Sequence, residues 1–536
     1  MSVALASTPR SLPTRLTVRP DLQRQMLRRG KGLICSQTRP PIRRWLGSKT
    51  SEVNFGQCLA STWLTTTPEQ LTPGDVLSGF PNAAHDSALE YLPVFLFTPA
   101  FAHWADTQNT FVEQCLNRFY REALGRSPQT SIHAVTAIID RLPRIAQSGG
   151  STLGDETECE GVSILFAREE NIQGKASAQR RIRSTETEEP TLLFAFRKEV
   201  RGSSVMPQPV QEIGLRLANT IFLNGKENTL LGTHWAYDSS SMKLELEKSA
   251  DLSTCSVTLT PTSIHNSLKL PLHPVGQRRK VITSMGNILR QIAKHADGKS
   301  DDPMPASSEL EKELPRYIAE NNIADQRVSV WALIETPAES PYTKSKHSQS
   351  SLARAIQMGA KLHRVMSGGG GWGKKQGLLS LDPEMSFERS SNEGMKPLSE
   401  VLSLENRSSA YGETSPPEPP MSMQDLSTLS QAAEPGDYVQ FFVSVEESGP
   451  LEESNSICEP SEPSLTCCFG ILSDADSFPG HTAEHKNLTA MPNYFGALSE
   501  KAMTYLHPVD ESGPSGMLES RTKIDVPGSR VTLVLE

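Results

Sequence analysis

Residues 88–101 read ALEYLPVFLFTPAF. The apolar run inside this stretch is interrupted by Pro93 and Pro99 and is far shorter than the roughly 20 residues of a membrane helix, so no membrane span is expected from it. With three Phe and three Leu, the stretch reads as a buried strand that leads into a loop.

Working outward, residues 109–124 place Phe111, Cys115, Leu116, Phe119 and Tyr120 at helical spacing, and residues 132–145 repeat the pattern with Val135, Ile138, Ile139 and Leu142. Two amphipathic helices are therefore expected after the strand. Beyond Gly149 and Gly150 the pattern turns strand-like at 162–167, 191–197, 220–223, 229–236, 243–247 and 255–259, with a hairpin turn expected at Asn224-Gly225. Residues 278–296 read as a helix with Val281, Met285, Ile288, Leu289 and Ile292 inward. A second helix is expected around 309–321, then a strand at 327–334. Further strands are expected at 437–445, 464–472 and 530–535.

These expectations describe an α/β or α+β fold: a mixed, largely antiparallel sheet with flanking helices, interrupted by long disordered insertions. The insertions are read at 172–189, 298–308, 336–350 and 386–435, the last containing ETSPPEPP and almost no aromatic residue. The expected organisation is a targeting segment at 1–50, an α/β body at 51–335, a helix with a glycine-rich loop at 336–385, an acidic Pro/Ser linker at 386–435, and C-terminal strands at 436–536 that join the main sheet.

The first fifty-one residues carry eleven basic side chains, among them Arg10, Arg15, Arg19, Arg24, Arg28 and Arg29, against Asp21 alone. With their many Ser and Thr residues they have the composition of a mitochondrial presequence. Arg43-Arg44-Trp45-Leu46-Gly47-Ser48 resembles the surroundings of a matrix-protease cleavage site. The alternative is a basic tail for RNA or an acidic surface. The whole chain has a net charge of −9, so the remainder without this segment stands at −19. Such a body is a poor generic binder of polyanions.

The eight cysteines show no paired spacing, and neither a disulfide framework nor a CxxC motif is present. No GxSxG or HExxH motif occurs, so no residue is assigned a catalytic role and no cofactor or metal is indicated. His103 with Asp106 and His234 with Asp238 echo one another, a likeness attributed to chance. His481 and His485 lie downstream of Cys467-Cys468 without zinc-site spacing.

One segment has the composition of a binding site. Residues 351–384 read as a helix, with Leu352, Ile356, Leu362 and Val365 near one face, that runs into Gly368, Gly369, Gly370, Gly371, Trp372, Gly373, Lys374 and Lys375. Gly368 to Lys374 satisfies GxxxxGK, but Lys375 replaces the Ser or Thr that would hold magnesium. The loop is read as a glycine connector anchored by Trp372, as a contact surface for a partner, or as a cradle for phosphate.

The leading functional expectation is a soluble protein of the mitochondrial matrix that binds a protein partner, as an accessory factor in assembly or gene expression. One alternative is an enzyme or ligand-binding protein that holds a phosphate-bearing compound in the Gly368–Lys375 loop. The other is RNA binding through Arg279, Lys280, Arg290, Lys294, Arg354, Lys361 and Lys374.

Overall fold

Tyr91–Phe97 is a strand buried along its whole length. It pairs antiparallel with Glu158–Arg168 on one side and parallel with Ser131–Ile138 on the other. The parallel pair needs a crossover, which the helix Phe111–Leu124 supplies. That helix lays Phe111 edge-on to Phe97 and stacks Phe119 on Phe166. The Tyr120 hydroxyl donates to the carbonyl of Tyr91 at 2.5 Å.

The computed structural model describes residues 59–80, 89–125, 131–144, 158–177, 189–198, 210–221, 225, 228–296, 300–321, 323, 328–337, 349–368, 377–384, 394–404, 431–444, 464–473, 488–509 and 519–536. All lie in the unit that begins at Asn54. The described strands form three sheets, of 14, 7 and 4 members; the largest and the smallest are mixed, and the seven-stranded one is antiparallel throughout. In the largest, the 17-residue strand Lys243–Leu259 pairs first with Leu230–Asp238 and then with Thr191–Arg197 and Ile172–Ala176. The four-stranded sheet contains Ile264–Lys269, Arg530–Leu535, Leu465–Ile471 and Tyr494–Ser499. It packs on the large sheet through Phe469 and Phe495 against Phe194. Of the C-terminal strands, Leu488–Pro492, Met503–Pro508 and Glu519–Ile524 enter the large sheet, and Tyr438–Ser444 enters the seven-stranded one. The fold class is thus mixed α/β. Among the described residues no helix is long and apolar enough to cross a membrane.

Several elements differ from expectation. Residues 132–145 contain the strands Ser131–Ile138 and Leu142–Pro143, not a helix. The first is buried on both faces, so no alternation marks it, and its Ile, Val and Thr content favours extended backbone. Residues 278–296 fall in a hairpin between Leu272–Met285 and Ile288–Ala293. Gly286, at φ +59°, opens its two-residue turn. The helix expected to reach Val365 ends at Gln357; Gly359, at φ +111°, breaks it, and Lys361–Gly368 is a strand. Thr220 is not in a strand, and residues 222–224 lie outside the described residues.

All four stretches read as insertions hold structure, and the helix Gln349–Gln357 begins within 336–350. Ile172–Ala176 and Pro303–Pro305 are strands, and the helix Ser307–Glu320 begins within 298–308. Within 386–435, Lys396–Pro397 pairs with the large sheet and the helix Leu398–Leu404 buries Leu398, Val401 and Leu402. Most of the remainder of these stretches lies outside the described residues.

Asp140, 9% exposed, accepts the Glu500 N–H at 2.8 Å, and burial pushes its carboxyl up to about 6. The folded value lies above the unfolded one, so its contribution to stability is present in acid and is lost as pH rises from about 4 to about 6. At about 1.4 kcal/mol per unit, about 3 kcal/mol is at stake. Asp140→Asn should flatten the stability profile between pH 4 and 6 and unfold at higher urea than the wild type at pH 7. A variant that is less stable at pH 7 and keeps the wild-type profile would contradict this.

Candidate partner-binding site

Gly368 is the last residue of the strand Lys361–Gly368, where it pairs with Leu379. The chain returns through Gly377 and the strand Leu379–Leu381. The loop therefore connects two adjacent antiparallel strands. Gly369, Gly370, Gly371, Trp372, Gly373, Lys374 and Lys375 lie outside the described residues. The expected order of helix then loop is corrected: a strand precedes the glycines and another follows. A nucleotide loop also has a strand before it, but it opens a helix, and among the described residues the next element is the strand Leu379–Leu381. Gly377, at φ +86°, accepts the N–H of Ser307 at 3.3 Å and anchors the return of the chain.

The sheet from which this loop leaves ends in a row that is exposed at its two outer strands and half-buried between them. Met285 pairs with Ile288, Ile288 with Ser380, and Ser380 with Ser367. Met366 occupies the bulge just before Ser367. Met285 and Met366 are each 61% exposed; with Met242 they are the exposed large hydrophobic residues among those described. Thioethers of this kind suit adaptable contacts. Of the cations considered for RNA, Arg279 is held by Glu309 at 2.8 Å and Lys280 by Asp301 at 2.8 Å. Their charge is already balanced.

At the other end of the hairpin lies a polar cluster that sequence reasoning missed. His363, 2% exposed, places Nδ1 2.8 Å from the carbonyl of Asp382, which fixes the N–H there. Its Nε2 is buried without a hydrogen-bond partner among the described residues. Burial lowers the imidazole pKa below its ordinary value. The Lys523 ammonium donates to Asp382 and, at 2.9 Å, to Glu384. Burial alone would lower its pKa, but the two carboxylates outweigh this and raise it. Glu384 also meets Arg216 at 2.6 Å, Arg216 reaches Glu189 at 3.4 Å, and Glu189 holds Lys501 at 2.9 Å. Asp525 accepts from the Trp331 indole at 2.7 Å, and burial pushes its carboxyl up. Alternating charges thus tie the seven-stranded sheet to the large one. These residues are far apart in sequence, so no local motif could show them.

The other sequence candidates separate. His103 is exposed against the edge of Trp104, and Asp238 caps its own turn through Ser240 and Ser241. His234 instead faces His133 across two strands. Cys467 and Cys468 are buried in a strand, and His481 and His485 lie outside the described residues. No known protein family, curated protein or solved structure matches the chain.

Proposed function

We propose that this chain is a protein of the mitochondrial matrix that acts by binding a protein partner, as an accessory factor in assembly or gene expression. Its contact surface is the end of the seven-stranded sheet from which Gly368–Lys375 emerges. The observation that carries this reading is that Met285 and Met366, both exposed, lie on the outer strands of the four-strand row that ends where the described chain reaches Gly368, with Trp372, Lys374 and Lys375 following in the sequence. Exposed apolar side chains at the root of a segment that carries an aromatic and two cations suit a surface on which a few anchors carry the affinity. The basic, hydroxyl-rich first fifty residues support the mitochondrial address.

Replacing both methionines (Met285→Glu with Met366→Glu) should abolish capture of the partner while leaving the unfolding midpoint nearly unchanged, because neither side chain is in the core. Comparison of co-purifying proteins and of urea unfolding tests this. Retention of the partner by the double variant would overturn the placement of the surface. A rise in melting temperature with ATP or inorganic phosphate, lost in Lys374→Ala with Lys375→Ala, would favour the phosphate-binding alternative.

A further inference from the structure

On the face of the large sheet that the helix Leu398–Leu404 partly covers, Ser131–Ile138 and Leu230–Asp238 place His133 directly opposite His234. Nε2 of His133 lies 2.9 Å from Nδ1 of His234. Each ring has its other nitrogen against a carboxylate. Nδ1 of His133 is 3.3 Å from Glu169, in the short turn after Glu158–Arg168, and Nε2 of His234 is 3.3 Å from Glu247. Glu247 stands at a register shift of the strand Lys243–Leu259, which lets it turn toward the histidine.

The carboxylates dictate the tautomers. An ionised carboxylate can only accept, so each outer nitrogen carries a proton and donates it. A neutral imidazole then has a lone pair on its inner nitrogen, and here the two inner lone pairs confront each other at 2.9 Å. That arrangement is repulsive unless a proton or a metal cation lies between the rings. A histidine whose outer N–H is held by a carboxylate is also the usual form of a metal-ligating histidine, the carboxylate fixing the ring and raising its basicity.

We propose that His133 and His234 bind a divalent transition-metal ion through their inner nitrogens, with Glu169 and Glu247 holding the outer ones. Zinc–nitrogen bonds of about 2.0–2.1 Å in tetrahedral geometry set the two nitrogens about 3.3 Å apart, so the rings need open by only a few tenths of an ångström. The side chain of His133 is 8% exposed and that of His234 21%, so the site is walled on one side and reachable on the other. Among the described residues no cluster of three or more His, Cys, Asp or Glu gathers as a ligand set. Water therefore completes the coordination, and the affinity is that of an exchangeable site rather than a structural zinc. Imidazole donors suit zinc, copper and nickel over magnesium or calcium.

Equilibrium dialysis of the full chain against zinc chloride tests the site. The wild type should retain one more zinc ion per chain than His234→Gln or His133→Gln, and Glu247→Gln should weaken that ion about 10- to 100-fold. His481→Gln should behave as the wild type. Near-ultraviolet circular dichroism establishes that each variant is folded; if His133→Gln is not, His234→Gln carries the comparison. Equal zinc retention by wild type and folded His234→Gln would overturn the proposal. Retention of no zinc by the wild type would do so as well, leaving a shared proton as the occupant.

Discussion

Replacing Lys523 with methionine should destabilise the fold by about 3–5 kcal/mol, the usual cost of removing one partner from a buried ion pair. The side chain is 10% exposed, and those of its partners Asp382 and Glu384 are 17% and 34% exposed. Methionine keeps most of the aliphatic stem, so the effect reports on the charge more than on packing. With the ammonium gone, Asp382 loses its nearest cation, while Glu384 keeps Arg216. Asp382→Asn in the Lys523→Met background should therefore recover part of the loss. The dependence on pH gives a second reading. Asp382 and Glu384 raise the folded-state pKa of Lys523, so its contribution is complete below the unfolded value of about 10.4 and disappears as pH rises through the folded one. Urea midpoints of the wild type and Lys523→Met should differ widely at pH 7 and converge at strongly alkaline pH. Equal midpoints at pH 7 would show that the two sheets are not joined through this lysine.

Leu398→Ala should cost about 2–5 kcal/mol. Leu398 is fully buried although it lies in a stretch whose composition is that of a linker. Its seat is made by two glycines of the large sheet. A Cβ on Gly232 would come within 3.0 Å of Leu398 Cδ1, and one on Gly174 within 3.7 Å. The glycines offer no side chain that could move into the space, and Leu252, which flanks both, sets how far the cavity left by alanine collapses and hence where in the range the cost falls. Gly232→Ala attacks the same contact from the other side by overpacking and should cost about 1–3 kcal/mol. Denaturant unfolding measures both. A change below about 0.5 kcal/mol for Leu398→Ala would mean that the helix Leu398–Leu404 is not seated on the sheet.

The sequence was most legible where one side of an element meets solvent. Phe111, Cys115, Leu116, Phe119 and Tyr120 formed a single stripe, and the helix Phe111–Leu124 follows it. The strand Tyr91–Phe97 was legible from its short apolar run. Ser131–Ile138 was not, because a strand buried on both faces has no period of two and its apolar residues also fit a helix. The hairpin at Met285–Ile288 was marked by Gly286-Asn287, a local turn signal that outweighed the helical spacing of Val281, Met285 and Ile292. The linker composition around Lys396–Leu404 hid a short apolar group, Leu398, Val401 and Leu402, at helical spacing.

The candidate site was legible only as a composition. Gly368–Lys375 stood out as a break in the pattern, but that Met285 and Met366 share its end of the sheet follows only from strand register. His133 and His234 lie 101 residues apart and meet across two strands, so no spacing rule could pair them.

The central claim is that the chain works by binding a protein partner through the Met285–Met366 rim and its glycine-rich loop. Its most direct test is affinity isolation of the tagged full chain from purified mitochondria, with and without ribonuclease, beside the variant carrying Met285→Glu and Met366→Glu. The account predicts a stoichiometric, ribonuclease-resistant partner that co-purifies with the wild type and is absent from the variant. Recovery of the wild-type chain alone, or loss of its partners on ribonuclease treatment, would contradict it.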